Sequence, residues 1–390
     1  MLVGAGASVR VSILLGRKDI KEAEHTLANA IFLTFFTQAL TIIPCYIFME
    51  PLLRLFGASE RTLPYAMEYL QYVVPANIFS ALSFGFNAIM RASGYPRKAM
   101  ITMIIGAMTN VVLDYIFIYP LGMGISAAAI ATVISMIVCS VYVLSHFFRK
   151  DSIVRFHRSA FRLSLPVISG ITAIGVAPFA MHLTGSLVNI IMNRSFVSYG
   201  ETADATDLAI GAFGIINGYA MLFFMIIIGV AQGMQPIVGF NYGAKNPGRV
   251  KSVYRYSCGV NLLVSFLGFA LAMLMPRTIV SLFTNSEQMI ELSASALRTA
   301  LIGLSLVGFQ VTTTQFFQSI GFSHKAIFLS LTRQIIFLIP CLLIIPRFMG
   351  LDGVWWSLPI SDLASVVLSF VLITIQMKHF NQSKKTTFAE

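Results

Sequence analysis

Charged residues are scarce in this chain of 390 residues, where Asp, Glu, Lys and Arg together make up 11%, against about 25% in an ordinary soluble domain. Apolar residues make up 57%, and the mean hydropathy is +0.80. So few charged side chains cannot cover a water-facing surface, which excludes a soluble enzyme, a nucleic-acid-binding protein and a disordered scaffold. The apolar residues come in unbroken runs and do not alternate, which excludes an outer-membrane β-barrel.

Cysteine is also rare. Cys45, Cys139, Cys258 and Cys341 each lie inside an apolar run, and none belongs to a CxxC motif. They are interpreted as small apolar packing residues, not as a disulfide set or a metal site. The sequence has no P-loop, no zinc-spaced His/Cys set and no nucleophile elbow. We therefore expect neither an enzyme nor a resident cofactor.

What the chain does contain is a series of apolar runs of the length needed to cross about 30 Å of hydrocarbon. A shorter run, 1–15, precedes them. The full runs are 26–48, 65–90, 100–118, 125–148, 165–197, 208–239, 254–275, 292–318, 326–345 and 353–377. These runs predict an all-α integral membrane protein with about ten full spans.

The distribution of basic residues predicts the orientation in the membrane. Alternate loops, beginning with 16–26 and ending with the tail after Met377, hold 19 of the 27 Lys and Arg residues, and the intervening loops hold 4. By the positive-inside rule, the loops rich in basic residues and the C-terminus are cytoplasmic. The net charge of +11 is spread thinly along this face, so we expect no nucleic-acid partner.

The two halves of the sequence are related by an offset of 227 residues. The markers that coincide lie at loop edges: Gly6 with Gly233, Val11 with Val238, Gly16 with Gly243, Lys18 with Lys245, Gly94 with Gly321, and Lys98-Ala99 with Lys325-Ala326. Such a set at constant offset indicates a duplication. The offset covers an even number of spans, so the repeat is parallel and its halves are related by an axis along the membrane normal.

The repeat also predicts the domain organisation. Met1 corresponds to Ile228, inside the second helix of the second copy, so the counterpart of residues 165–227 precedes Met1 in a twelve-helix plan. We expect an N-lobe, 1–150, that lacks its first helix and part of its second, through truncation or as a natural short form. A basic cytoplasmic connector, 151–164, a six-helix C-lobe, 165–377, and a cytoplasmic tail, 378–390, follow.

Several motifs resemble those of one transporter family, the multidrug and toxic compound extrusion (MATE) family, and the resemblance covers the whole chain. They are GAGAS at 4–8, RASG at 91–94, NVVLDYIFI at 110–118, LGMGISAAAIAT at 121–132, NRS at 193–195 and QGMQPIVGFNYG at 232–243. The resemblance implies two six-helix lobes and cation-driven export of amphipathic, often cationic compounds across a bacterial inner membrane. Many members carry an Asp central to ion coupling in the first helix of the twelve-helix plan, which is expected to precede Met1 here.

Acidic residues inside spans are candidate functional residues, because a charge in hydrocarbon costs about 2.5–3.5 kcal/mol even on insertion scales. Of the 16 acids, only Asp114 and Asp362 are predicted to lie well inside spans. Asp114 follows Asn110 by four residues, so both lie on one helix face. Their oxygens suit Na⁺, or the carboxyl binds a proton. Thr132 of the next helix adds a hydroxyl. The resemblance implies that Asn110, Asp114 and Thr132 belong to the N-lobe cavity; the alternative is an Asp satisfied by backbone near the outer helix end.

Four further residues are secondary candidates. Asp362 either protonates during transport or pairs with Arg333 of the preceding span. His182 is a packing residue or a proton relay, and Asn189 follows on the same predicted helix. Gln310 belongs to a polar patch that either lines the cavity or forms hydrogen bonds between helices. Some family members have an acid in that span, and this chain has none.

We therefore predict a secondary active exporter, acting by antiport of amphipathic or cationic small molecules against H⁺ or Na⁺. The protein is expected to be a monomer in the lipid bilayer. No metal site is predicted beyond Na⁺ at Asn110 and Asp114. The alternative is a lipid-linked oligosaccharide flippase of the same superfamily. That function favours a strongly cationic cavity, whereas basic residues within the spans are few and scattered here.

Overall fold

Helices make up the regular structure of the computed structural model, which describes residues 1–56, 59–200 and 202–386. The chain divides into two compact units, Met1–Gly175 and Val176–Glu390, and the boundary between them falls within one long helix. The predicted tail, 378–390, is helical as far as Thr386, and 387–390 lie outside the described residues.

Six helices precede the long one. They are α1 Leu2–Gly16, α2 Ile20–Ile47, α3 Met49–Leu55, α4 Leu63–Ala92, α5 Pro96–Ile118 and α6 Ile125–Phe148, followed by α7 Leu165–Tyr199. The second unit continues with α8 Ala203–Gly243, α9 Pro247–Leu274, α10 Pro276–Ser281, α11 Glu287–Ala300, α12 Leu304–Ser319, α13 Ser323–Leu331, α14 Ile339–Ile344 and α15 Pro346–Thr386. A π-helical turn, Thr332–Leu338, joins α13 to α14.

Nine helices of the described residues are long and apolar enough to cross a membrane, and a tenth span results if the bent pair of α11 and α12 counts as one. This confirms the predicted all-α membrane protein. Helix α1 has 15 residues and is therefore about 22 Å long, shorter than the hydrocarbon core, as its short apolar run predicts.

The 227-residue offset recurs in the backbone. Lys18 and Lys245 share a left-handed conformation, with φ of 63° and 55°. The residues that follow them, Asp19 and Asn246, cap α2 and α9 by accepting hydrogen bonds from the backbone N–H three residues on. Both units thus use the same turn, in which a short polar side chain satisfies a free N–H at the helix start.

One predicted span differs from the structure. The run 292–318 was expected to form a single helix, but α11 and α12 meet at a bend of 49°. The bend includes Gly303, where an added Cβ would lie 2.6 Å from the side chain of Asp362. A glycine at the bend leaves room for this carboxyl. The 227-residue offset aligns Ile302 with Pro75 in the sequence. Pro75 lies within α4, which is continuous.

Each unit has its own apolar core. In the first unit, Leu27, Phe86, Phe147 and Ile171 are fully or almost fully buried. Close backbone contacts require glycine here, because a Cβ on Gly6 would lie 1.9 Å from the carbonyl oxygen of Ile171. The buried residues of the second unit form two clusters, one around Phe196, Leu297 and Trp355 and the other around Val238, Phe316 and Leu329.

The connector, 151–164, forms hydrogen bonds with other parts of the first unit. Asn29 of α2 donates from Nδ2 to the carbonyl of Arg162 and accepts from the N–H of Ser164, both at 3.0 Å. Tyr95 donates from its hydroxyl to the carbonyl of Asp151 at 2.6 Å. Val154 is completely buried, so the connector packs against protein as well as carrying the basic residues seen in the sequence.

Candidate ion-coupling site

The candidate residues of the first unit lie on α5 and α6, which pack against each other. Asn110 of α5 reaches Thr132 of α6, with 3.5 Å between Nδ2 and Oγ1. The structure therefore brings together two of the three residues predicted to form the site. Asp114 lies one turn further along α5, on the face that carries Asn110.

The carboxylate of Asp114 is incompletely satisfied. Its Oδ1 atom is buried and has no hydrogen-bond partner among the described residues. Several buried side-chain atoms of the described residues lack a hydrogen-bond partner, and Asp114 Oδ1 is the one carboxylate oxygen among them. A buried, ionised oxygen without a partner is costly, which makes Asp114 a candidate for binding a coupling ion. The predicted alternative, satisfaction of the carboxyl by backbone, does not hold for Oδ1.

Glu68 is a further acid of this unit, one that the sequence does not single out. It lies in the second turn of α4 and accepts a hydrogen bond from the hydroxyl of Ser126. Ser126 is the second residue of α6, so the carboxylate is held at the N-terminus of that helix, where the dipole favours negative charge. Pro64, the second residue of α4, is the feature of the sequence that indicates a helix beginning before Glu68.

In the second unit, Asp362 lies next to Arg333. The distance between Arg333 Nε and Asp362 Oδ1 is 3.0 Å, and the two side chains are 23% and 14% exposed. Of the two roles considered for Asp362, ion pairing describes this arrangement; a role in proton transfer stays a prediction. The guanidinium also donates to Gln310 Oε1 at 3.4 Å and lies over the ring of Phe224, 5.6 Å from its centroid.

Two irregularities of the backbone position this cluster. Arg333 lies in the π-helical turn between α13 and α14, and Asp362 packs against Gly303 at the bend between α11 and α12. Single π-helical turns often occur at functional sites. Gln310 is 4% exposed, so its contact with Arg333 fits the predicted hydrogen bonding between helices.

The other two candidates, His182 and Asn189, are exposed residues of α7, and their side chains form no hydrogen bond with another described residue. A surface depression of about 330 Å³ is lined by Met108, Thr109, Val112 and Leu113 of α5, and it includes neither Asn110 nor Asp114. Among the described residues, no three His, Cys, Asp or Glu side chains are grouped so that they could hold a metal ion.

Comparison with known proteins gives a consistent set of relatives. The family model MatE matches residues 1–116 and 178–344. The multidrug export protein MepA of Staphylococcus aureus (strain MRSA252) is 26% identical over 378 residues, which cover 95% of this chain and 81% of that protein. MepA of Staphylococcus saprophyticus is 24% identical over 376 residues, with the same coverage.

Solved structures give the same result. An outward-facing multidrug resistance MATE family transporter of the MOP superfamily superimposes with a TM-score of 0.91 at 25% identity, over 97% of this chain and 84% of that one. A MOP superfamily transporter from Pyrococcus furiosus, described as having a binding pocket of reverse polarity, gives a TM-score of 0.90 at 26% identity, with the same coverage.

Proposed function

Because the chain belongs to the multidrug and toxic compound extrusion (MATE) family, we propose that it is a secondary active multidrug exporter, driven by a gradient of H⁺ or Na⁺. We propose amphipathic or cationic small molecules as its substrates; the relatives named multidrug export protein MepA support the export of small compounds. The protein acts from a bacterial cytoplasmic membrane, with the basic loops and the C-terminus on the cytoplasmic side.

The observation that carries the proposal is the unsatisfied Oδ1 of Asp114 beside the Asn110–Thr132 contact. An antiporter must make the binding of the coupling ion and of the drug depend on each other. A buried carboxylate provides this dependence, because it is unfavourable when ionised and unpaired and favourable when protonated or bound to Na⁺. Loading the ion then favours one helix arrangement, and drug entry favours the other.

The neighbouring oxygens are compatible with either ion. Na⁺ is a hard cation that prefers oxygen ligands, and Asp114, Asn110 and Thr132 offer carboxylate, amide and hydroxyl oxygens. A proton needs only the carboxyl group. The experiment must therefore identify which of the two ions drives transport.

The charges in the second unit favour an exporter over a flippase for lipid-linked oligosaccharides. Such a flippase needs uncompensated cations to hold a pyrophosphate group. Arg333, which lies within a span, is compensated by Asp362 at 3.0 Å. This pairing leaves little free positive charge at the cluster.

Reconstitution into liposomes tests the proposal. A fluorescent lipophilic cation is expected to be transported when a pH or a Na⁺ gradient is imposed, and transport is expected to stop when the responsible gradient alone is collapsed. An ionophore for each ion, applied separately, identifies the coupling ion. Transport of the cation at a rate that depends on neither gradient would contradict the proposal, and so would flipping of a lipid-linked pyrophosphate instead.

A further inference from the structure

A small cavity lies in the first unit where α5 begins and α6 ends. It is lined by Lys98 of α5, by Tyr142, Ser145 and His146 of α6, and by Arg149 directly after α6. Its volume of about 30 Å³ accommodates one group of the size of a water molecule. Lys98 and Arg149 are cationic, and no lining side chain is acidic.

His146 lines this cavity with a buried ring. The residue is 3% exposed, and its Nδ1 is buried without a hydrogen-bond partner in the described part of the chain. Its Nε2 lies 3.3 Å from Ser152 Oγ, and this hydroxyl donates its own hydrogen to the carbonyl of Val154 at 2.8 Å. Nε2 is therefore the donor to Ser152. This hydrogen bond holds the ring in place as one wall of the cavity.

The charges around His146 leave a positive excess. Lys98 pairs with Asp151 of the connector, with 3.1 Å between Nζ and Oδ2, and lies over the ring of Tyr95. Arg149 forms no ion pair with another residue that the structure describes. The hydrogen bond from Lys98 holds the pKa of the Asp151 carboxyl below its usual value, so this carboxylate stays ionised near neutral pH. Arg149 and one remaining Lys98 donor are available to an anion.

The surface one turn deeper on each helix is apolar and exposed. Ile101 follows Lys98 by three residues on α5 and is 40% exposed, and Val141 precedes Ser145 by four residues on α6 and is 60% exposed. Both lie on the side of the cavity that faces the middle of their helices, where acyl chains would lie. A phosphate group attached to acyl chains fits this arrangement better than a free anion.

We propose that this cavity is a phosphate-binding site, with one phosphate oxygen seated between Lys98 and Arg149. Basic pockets between helices at the membrane boundary are suited to lipid head groups. An anionic phospholipid is the source that the apolar flank favours, and inorganic phosphate offers the same chemistry.

Native mass spectrometry of the full chain in a neutral detergent tests the site. At pH 6 we expect one phosphatidylglycerol to be retained in preference to phosphatidylcholine. Arg149→Gln is expected to weaken this binding about tenfold, the effect of losing one charge-assisted hydrogen bond. Arg97→Gln is the matched control, because Arg97 is an exposed cation next to Lys98 that does not line the cavity; it should bind as the unchanged protein does.

A competition measurement makes the test specific. Millimolar inorganic phosphate that displaces the lipid, with the same sensitivity to Arg149→Gln, would support the site and assign it to the free anion; lipid retained against phosphate assigns it to the head group. Equal retention of phosphatidylglycerol by Arg149→Gln and the unchanged protein would overturn the proposal.

Discussion

Arg333 and Asp362 form an ion pair between the π-helical turn and α15, with 3.0 Å between Nε and Oδ1. Their side chains are less than one quarter exposed. Removing one member of such a pair leaves the other charge in a poorly solvated position. The pair therefore neutralises a charge inside the second unit, and its members depend on each other.

We predict that Asp362→Asn lowers the free energy of unfolding by up to about 3 kcal/mol. The double variant Arg333→Gln/Asp362→Asn should recover more than half of this loss, because no unpaired charge remains. Thermal unfolding in detergent measures both effects. The control is Arg277→Gln, which removes an exposed pair with Glu291 in the same unit and should change little. Strictly additive losses in the double variant would show that the two residues are not coupled.

The bend between α11 and α12 gives a second prediction. Gly303→Ala places a methyl group 2.6 Å from the side chain of Asp362, and the crowding should destabilise the protein by about 1–3 kcal/mol. Gly259→Ala in α9 is the matched control, because its Cβ meets nothing within 4 Å. An alanine there should be neutral or stabilise the helix by up to about 1 kcal/mol. Equal melting temperatures for the two variants would contradict the close contact.

The predicted orientation in the membrane gives a third prediction, which cysteine labelling tests at positions chosen for their exposure. Ser152 lies in the connector, but it is 5% exposed and a thiol there would react slowly from either side. Lys150 is exposed. In a background without native cysteines, which removes the exposed Cys45, Lys150→Cys should react with an impermeant maleimide only after permeabilisation. Arg61→Cys, exposed in a loop predicted to be external, should react in intact cells. The reverse pattern would invert the topology.

Glu68 gives a fourth prediction, because it allows a carboxylate with a structural partner to be compared with the proposed coupling carboxylate of Asp114. Glu68→Gln keeps an acceptor for Ser126 but removes the charge at the N-terminus of α6. We expect a loss of up to about 1 kcal/mol in unfolding free energy and unchanged linkage between ion and drug binding. A melting curve and the binding measurement described below test this. Loss of the linkage in Glu68→Gln would make Glu68 part of the coupling site.

Much of the fold follows from the sequence because hydrophobic length and turn residues act locally. Runs of about 20 apolar residues require helices in a membrane, and the repeated left-handed turn at Lys18 and Lys245 was marked by the coinciding loop residues. The bend at Gly303 was not predicted. It depends on Asp362, which is 59 residues away in sequence, and no local pattern reports such a contact.

The candidate site was predictable to a similar extent. The i, i+4 spacing placed Asn110 and Asp114 on one face, and Thr132 lies against Asn110 as expected. The role of Glu68 was missed because its partner, Ser126, is on another helix. Likewise, the sequence offered Arg333 as a partner for Asp362, but the contacts of Arg333 with Gln310 and Phe224 arise from the π-helical turn, which the sequence reasoning did not anticipate.

The linkage between drug binding and the state of Asp114 tests the central claim most directly. The affinity for a lipophilic cation is measured in detergent as a function of pH and of Na⁺ concentration, for the unchanged protein and for Asp114→Asn. If a single carboxyl group must release its ion for the drug to bind, the affinity falls about tenfold for each pH unit below its pKa, or for each tenfold rise in saturating Na⁺. Asp114→Asn should bind the drug with an affinity that depends on neither ion, and Glu68→Gln should retain the dependence. An unchanged ion dependence in correctly folded Asp114→Asn would contradict the account and direct attention to Asp362.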